Sequence, residues 1–177
     1  MTNKFIIILT FIAAVGLSCG EKEISLPYEY TSDQRNVKFN YNDNWEIEEN
    51  NQGIGILSTI EQDSTAFTDN VTVAVIPKDP QLDFYTHIGA NKRYILLNQG
   101  EIIEEEIIEV NNELAYRVII DKEMEGNDYR ILQYLQLIDH TSYVITFIGK
   151  SETYEEKVTE AELIMKSMVF DQPVVDE

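Results

Sequence analysis

The chain has 177 residues, with 13 lysines and arginines against 32 aspartates and glutamates, and a formal net charge of −19. A protein this acidic is repelled by nucleic-acid phosphates and by anionic lipid headgroups, which argues against nucleic acid as a partner and against binding flat on a membrane surface. Its single cysteine, Cys19, excludes an intrachain disulfide.

The first 18 residues have the composition of a secretory signal peptide. Lys4 is followed by a stretch over residues 5–15 that is apolar except for Thr10, and then by the small or apolar residues 16–18. The apolar stretch is shorter than the roughly 20 residues that a membrane-spanning helix needs. A charged start, an apolar centre and small residues before a cleavage point predict that residues 1–18 are removed.

Leu17-Ser18-Cys19 resembles the end of the lipobox of bacterial lipoproteins, whose cysteine carries fatty acids such as palmitate and becomes the new N-terminus. Gly16 stands where the usual pattern has leucine, but lipoboxes ending in Ser-Cys are typical of the Bacteroidetes. The resemblance implies a cell-envelope protein anchored by lipid on Cys19, with the outer membrane favoured and its periplasmic or surface face left open. The alternative is an ordinary secretory signal followed by a chance cysteine.

Three segments of different composition follow the cleavage point. Residues 19–36 are polar, acidic and without sustained periodicity, which predicts a flexible tether. Residues 37–171 are predicted to form a single domain, and residues 172–177 a polar tail. Removing residues 1–18 takes away Lys4 and no acidic residue, so the mature side-chain charge is 12 − 32 = −20.

The domain opens with strand patterns. Apolar residues alternate with polar ones over residues 37–41, a turn sequence occupies residues 42–44, and residues 45–47 resume the apolar pattern. This succession predicts a hairpin. Residues 55–60 and 71–76 predict two further strands. Trp45 and Phe170, at apolar positions near the two ends of the domain, are predicted to be buried.

A first helix is predicted over residues 80–98. Asp79 is a candidate N-cap, Pro80 suits the first helical position, and Gly100 is a candidate residue for the turn beyond the helix. Four apolar residues fall near one helical face and are predicted to be buried, namely Leu82, Tyr85, Ile88 and Ile95.

Four strand-like runs then follow one another with short, turn-like connections. The runs are residues 101–110, 113–121, 128–138 and 141–149, and the connections are residues 111–112, 122–127 and 139–140. This order predicts an antiparallel meander. Apolar residues occur at both odd and even positions of two runs: Tyr116, Val118 and Ile120 oppose Ala115 and Ile119, and Tyr143, Ile145 and Phe147 oppose Val144 and Ile148. Such a sheet needs cover on both faces.

A second amphipathic helix follows the meander. Thr153 and Glu156 have the spacing of a capping box, and the apolar residues Tyr154, Val158, Ala161, Met165 and Met168 recur at helical spacing. The opposite face is predicted to be solvated and carries Glu155, Glu156, Lys157, Glu160 and Glu162. Residues 169–170 predict a short closing strand. The fold class is therefore α+β, an antiparallel central sheet covered by helices on both faces.

Two segments resemble the PsbP-like (PsbP/DcrB-type) superfamily. Phe-Asn-Tyr-Asn-Asp-Asn-Trp-Glu-Ile at residues 39–47 is similar to its opening pattern F-x-Y-P-x-x-W-x-[IV], with Asn42 in place of the proline. Met-Lys-Ser-Met-Val-Phe at residues 165–170 is similar to its ending I-x-x-S-F-x-F. A glycine that is frequent before the second meander strand is replaced near Asn112. The resemblance implies an α/β/α sandwich and a non-enzymatic assembly or adaptor role.

No arrangement of residues indicates catalysis. There is no Gly-x-Ser-x-Gly nucleophile motif, and two histidines without a free cysteine make a zinc site improbable. We interpret His87 and His140 as packed or solvated residues. The sequence thus predicts no catalytic, cofactor-binding or metal-binding residues, and Cys19 as the lipidation site.

The acidic segment from Asp121 to Asp128 favours a hairpin turn, with a cation loop as the alternative. Oxygen-bearing side chains at alternate positions precede Gly126, but an EF-hand loop would need a bidentate glutamate where Leu132 stands. Glu104, Glu105 and Glu106 are interpreted as a solvated strand edge. The leading functional hypothesis is a non-catalytic interaction or assembly module at the envelope, and the alternative is a ligand- or divalent-cation-binding lipoprotein.

Overall fold

The computed structural model describes residues 24–32, 36–50, 53–58, 68–77 and 83–170. The predicted signal peptide, Cys19 and the polar tail lie outside these residues. The described residues form ten strands and two helices. In chain order they are β1 (Tyr28–Ser32), β2 (Val37–Tyr41), β3 (Trp45–Asn50), β4 (Gly53–Ser58), β5 (Asn70–Pro77), α1 (Phe84–Leu97), β6 (Glu101–Val110), β7 (Glu113–Met124), β8 (Asn127–Ile138), β9 (Thr141–Lys150), α2 (Tyr154–Ser167) and β10 (Val169–Phe170).

The predicted meander is confirmed and forms half of the main sheet. That sheet has seven strands in the order β3-β4-β5-β9-β8-β7-β6, and every neighbouring pair is antiparallel. Three two-residue turns join β6 to β9, and both residues of each turn have positive φ, as type I′ hairpin turns require. They are Asn111 and Asn112 (55° and 67°), Glu125 and Gly126 (53° and 78°), and Asp139 and His140 (41° and 64°).

Two apolar clusters confirm that helices cover both faces of this sheet. On one face α2 packs against residues such as Ala115, Leu132 and Phe147. On the other face α1 packs through Ile88 and Ile95 against alternate residues of the same strands. The predicted alternation within β7 and β9 is thus confirmed: Tyr116, Val118, Ile120, Val144 and Ile148 lie on the α1 side, and Ala115, Ile119, Tyr143, Ile145 and Phe147 on the α2 side. The α+β fold class is confirmed.

The predicted hairpin over residues 37–47 is wrong. Strand β2 belongs to a separate three-stranded sheet, in the order β1-β2-β10, whereas β3 is an edge strand of the main sheet. The turn between them contains no residue with positive φ, so it lacks the geometry of a two-residue hairpin turn. Its first residue, Asn42, is buried and donates a hydrogen bond to Glu160 on α2. This contact directs the chain from one sheet to the other, and both Trp45 and Phe170 are buried as predicted.

The tether predicted for residues 19–36 is wrong at residues 28–32, which form β1. This strand pairs with β2 along its whole length, and rings contact each other across the pair, with Tyr30 and Phe39 centroids 5.2 Å apart. Tyr30 and Ser32 also donate hydrogen bonds of 2.5 Å and 2.6 Å to Glu49 on β3. Burial, assisted by Glu49, raises the pKa of Tyr30 to about 12. Because Tyr30 and Ser32 belong to the small sheet and Glu49 to the main one, these hydrogen bonds link the two sheets.

Helix α1 begins later than predicted. Its N-cap is Asp83, whose carboxylate accepts a 2.9 Å hydrogen bond from the Thr86 N–H, and Asp79, Pro80 and Leu82 lie outside the described residues. At the other end Gln99, not Gly100, has positive φ (62°). Gly100 is required for a different reason: a Cβ there would lie 2.8 Å from Ile95 Cγ2 and 2.9 Å from Ile120 Cγ2.

Helix α2 differs from its prediction in two ways. Thr153 is the N-cap, but its side chain makes no capping hydrogen bond, so the capping box does not form. Lys157, predicted to be solvated, is buried, and its Nζ lies 2.8 Å from Asp69 Oδ2. Because burying an unpaired ammonium is costly, the lysine depends on this partner before β5. The pair joins α2 to the start of β5.

Candidate functional site

Helix α1 covers only part of its face of the main sheet. Its buried residues, Ile88 and Ile95, contact side chains of β6 to β9, and within the described residues no side chain of β3, β4 or β5 belongs to this cluster. Thr72, Ala74 and Ile76 of β5 point to the same side and are exposed. The described residues therefore leave one half of this face uncovered, and α1 forms a wall along its margin.

A groove of about 340 Å³ lies between this wall and β5. The helix contributes His87, Ala90, Asn91 and Tyr94, which are spaced i, i+3, i+4 and i+7 and therefore share one side of α1. The sheet contributes the floor, made by Ala74, Ile76, Gln133, Leu135 and Val144. The volume is at the lower end of the range for small-molecule sites. Most of the lining is apolar.

The apolar character continues onto the rim of the groove. Tyr94 is 67% exposed, and Ile76 is 48% exposed. Three more large apolar side chains of α1 are exposed, namely Tyr85, Leu96 and Leu97, but Tyr85 and Leu96 lie on the side of the helix away from the groove. Tyr85 was predicted to be buried, and this prediction is wrong because the helix turns its Ile88–Ile95 side to the sheet. Exposed apolar groups gathered on one helix mark a contact surface more often than isolated ones do.

A polar row crosses the floor of the groove. Asn91 donates a 2.9 Å hydrogen bond to Gln133, which in turn donates a 3.2 Å bond to Thr146. Strand register continues this row through Thr72 and Gly55 to Glu48 on β3, since each of these residues lies opposite the next. The groove therefore has a polar band that leads from α1 to the free edge of the sheet.

His87 of the groove lining and the buried Ser142 form a pair that resembles catalytic machinery. The His87 Nε2 and Ser142 Oγ atoms lie 2.7 Å apart. Ser142 has no exposed surface and sits within β9, between β5 and β8. A nucleophile must reach its substrate, so this hydroxyl positions His87 and the start of α1. His140, by contrast, is exposed in the β8–β9 turn.

The glutamates on the two edge strands of the main sheet differ in their ion pairing. On β6, Glu105 lies 2.7 Å from Lys92 Nζ, and its hydrogen bonds from Lys92 and Tyr116 lower its pKa. Arg117 Nη1 forms ion pairs with Glu104 Oε1 at 2.6 Å and with Glu106 Oε1 at 3.3 Å. On β3, Glu46 and Glu48 are exposed and form no ion pair with any residue that the structure describes.

The acidic segment from Asp121 to Asp128 forms a hairpin, as the leading interpretation predicts. Its turn is confined to Glu125 and Gly126, so Asp121 lies within β7. The Asp121 carboxylate accepts two hydrogen bonds from Arg130, at 2.7 Å and 2.9 Å, and they lower its pKa. Arg130 thus occupies both carboxylate oxygens of Asp121, the first acidic residue of the candidate cation loop. In the described part of the chain no group of three or more His, Cys, Asp or Glu is placed to hold a metal ion.

The comparisons with known proteins address the fold. No family model matches the chain, and no curated protein matches it. The solution structure of the cyanobacterial PsbP, CyanoP, from Synechocystis matches 87% of this chain and 98% of its own with a TM-score of 0.64 at 13% identity. The chain has the PsbP-like fold.

Other solved structures share this PsbP-like architecture. LpqN of Mycobacterium tuberculosis, described as involved in cell envelope biogenesis, has a TM-score of 0.61 at 12% identity, over 75% of this chain and 82% of its own. A crystal structure from Bacteroides thetaiotaomicron has a TM-score of 0.56 at 11% identity, over 84% of this chain and half of its own. At these identities the likeness establishes the fold alone. Neither helix in the described part is long and apolar enough to cross a bilayer.

Proposed function

We propose that this PsbP-like domain is a non-catalytic interaction or assembly module, held at the cell envelope by lipid on Cys19, and that the groove beside α1 is its binding surface. The observation that carries the proposal is the groove itself. A mature chain with 12 basic and 32 acidic residues leaves Tyr94 of α1 and Ile76 of β5 exposed at an apolar depression. Such a surface suits a protein partner.

Two further points support the proposal. His87, the only histidine of the described groove lining, is hydrogen-bonded to Ser142, whose side chain has no exposed surface. The described lining therefore offers no accessible pair of nucleophile and base. The PsbP-like fold is also found in LpqN, a protein described as involved in cell envelope biogenesis. The N-terminal pattern Leu17-Ser18-Cys19 supplies the anchor, since acyl chains hold a protein to a membrane without a spanning helix.

The anchor is tested with Cys19→Ser, which retains the apolar signal core but removes the thiol that accepts lipid. Cells are labelled with an alkyne fatty acid, and the protein is recovered and examined for label. We expect label in the wild-type protein and none in the variant. Equal labelling of both, or labelling of neither, would contradict the lipoprotein assignment.

The groove is tested by photo-crosslinking in intact cells, with p-benzoylphenylalanine at position 94. The matched control carries it at position 163 on α2, where Leu163 is also exposed. A second change, Ala90→Gln, lengthens a groove-lining side chain on the solvent side of α1. We expect an adduct of defined mass from position 94 only, and its loss with Ala90→Gln. Equal adducts from both positions, or none from position 94, would overturn the groove as binding surface.

A further inference from the structure

The open half of the sheet ends at two carboxylates that form no ion pair with the described residues. Glu46 and Glu48 are exposed on β3, and both lie on the face that carries the groove, because Glu46 is opposite Leu57 and Glu48 is opposite Gly55. Gly55 is in turn opposite Thr72 of β5. Neighbouring strands are about 4.8 Å apart, so the carboxylate edge is about 10 Å from β5.

The floor between the groove and this edge is low. Gly55 has no side chain, and Thr72 and Ala74 are small, so along the Thr72–Gly55 row no large side chain of the described residues stands before Glu48, whereas Leu57 lies between β5 and Glu46. An extended chain advances about 3.3 Å per residue, and three or four residues therefore span the distance. One short segment can reach the apolar groove and the carboxylates together.

The state of the charges distinguishes this edge from the opposite one. The glutamates at positions 104 to 106 are held by Arg117 and Lys92 of the same chain. Glu46 and Glu48 have no such cation among the described residues. A carboxylate pair beside an apolar groove attracts basic groups and repels acidic ones.

Electrostatic repulsion by the same charges disfavours two other occupants of the open face. A second copy of this chain would bring a further side-chain charge of −20, or 12 − 32, against it, and like charges across an interface are unfavourable. A bilayer with anionic headgroups is repelled in the same way. A small apolar ligand could fill the groove, but it would make no use of the carboxylates.

We propose that the occupant is a basic and apolar segment of a partner protein. Its apolar side chains enter the groove between Tyr94 and Ile76, and its lysines or arginines pair with Glu46 and Glu48 across the Gly55–Thr72 floor. The inference rests on the proposed function, because it names the chemistry of the partner that the groove would bind.

The test measures binding of three fluorescein-labelled decapeptides to the full mature chain carrying Cys19→Ser, by fluorescence anisotropy. The peptides alternate Leu with Lys, Leu with Glu, and Ser with Lys. We expect the Leu–Lys peptide to bind most tightly. Glu46→Gln with Glu48→Gln should weaken that binding about three- to tenfold, because a rim ion pair contributes up to about 1 kcal/mol. The matched control, Glu109→Gln with Glu113→Gln, neutralises two exposed glutamates of the β6–β7 hairpin, away from β3, and should leave binding unchanged.

Each other outcome has a defined meaning, provided that thermal melting shows the variants to be folded. Equal binding of the Leu–Lys and Leu–Glu peptides, abolished by Ala90→Gln, would overturn the basic partner but leave the groove as a binding surface. Equal binding of the Ser–Lys peptide would show simple charge attraction and overturn the inference. Absence of binding by all three peptides would also overturn it, and the cross-linking at position 94 would then decide separately whether the proposed function survives.

Discussion

The two halves of the main sheet are built differently. In the half made by β6 to β9, two-residue turns join the strands, helices cover both faces, and the edge glutamates are paired with Lys92 and Arg117. In the half made by β3 to β5, the described residues cover only the α2 side, and Glu46 and Glu48 at the edge have no ion-pair partner among them. The first half supplies stability through local contacts, whereas the second leaves apolar and charged groups exposed.

Substitutions on the two faces of the open half should differ most in their effect on the free energy of unfolding. Trp45 is 3% exposed on the α2 side and packs edge-to-face on Phe147 at a centroid distance of 6.4 Å. We expect Trp45→Ala to cost about 3–5 kcal/mol in the free energy of unfolding, because it leaves a large cavity. Ile76→Ala, on the open face, should change it by less than about 1 kcal/mol. Urea unfolding of both variants measures the difference.

A loss below about 1 kcal/mol for Trp45→Ala would show that this face is not the core of the open half. A loss above about 2 kcal/mol for Ile76→Ala would show that the groove floor is covered rather than open. Either result would remove the contrast between the two faces of this half of the sheet.

The second effect concerns the buried ion pair that ties α2 to the open half. Lys157 Nζ lies 2.8 Å from Asp69 Oδ2, and Asp69 Oδ1 also accepts a 3.3 Å hydrogen bond from the Lys150 N–H. We expect Lys157→Met to cost about 3 kcal/mol, because it leaves a buried carboxylate without its cation. The matched control is Lys166→Met on the same helix, whose ion pair with Glu162 is more exposed and should cost less than about 1 kcal/mol.

A double variant measures the coupling between Lys157 and Asp69. Adding Asp69→Asn to Lys157→Met removes the buried charge but keeps an oxygen for the Lys150 N–H, so we expect part of the lost stability to return. If the double variant is as unstable as the sum of the two single variants, the two side chains do not act as a pair. Chemical denaturation of the four proteins measures the coupling.

The parts of the fold that could be predicted from sequence depend on contacts between near neighbours. Alternation within the runs and turn residues such as Asn111 and Asn112 define the meander, because a type I′ turn fixes both the turn and its strand pairing. The pairing of β2 could not be predicted in this way. Its turn depends on Glu160 of α2, far away in the sequence, and the local pattern of residues 37–47 is that of an ordinary hairpin.

The candidate site was missed because its signals are also non-local. The apolar residues of α1 occupy more than one face, with Tyr94, Leu96 and Leu97 in addition to Ile88 and Ile95, and this excess was the available signal for an exposed surface. Which residues face outward depends on where the helix lies across the sheet. Likewise, the burial of Lys157 depends on Asp69, which precedes another strand. Local periodicity in the sequence predicts neither the outward-facing residues of α1 nor the burial of Lys157.

The smallest expected effect concerns acid stability at the two edges. The hydrogen bonds from Lys92 and Tyr116 lower the pKa of Glu105. A carboxylate with a lowered pKa in the folded state adds stability above its unfolded value, about 4.3, and this stability is lost as the pH falls through the folded value. We therefore expect Glu105→Gln to destabilise the protein by a few tenths of a kcal/mol at neutral pH, since the pair is partly exposed, and we expect this cost to shrink as the pH falls below about 4.3. Glu48→Gln removes a carboxylate that has no ion-pair partner among the described residues, and it should cost less than Glu105→Gln at neutral pH. Thermal melting of the three proteins between about pH 3 and 7 tests this. An equal pH-dependent cost for both variants would mean that the paired and unpaired edges respond to acid through overall charge alone, and the distinction between them would not hold.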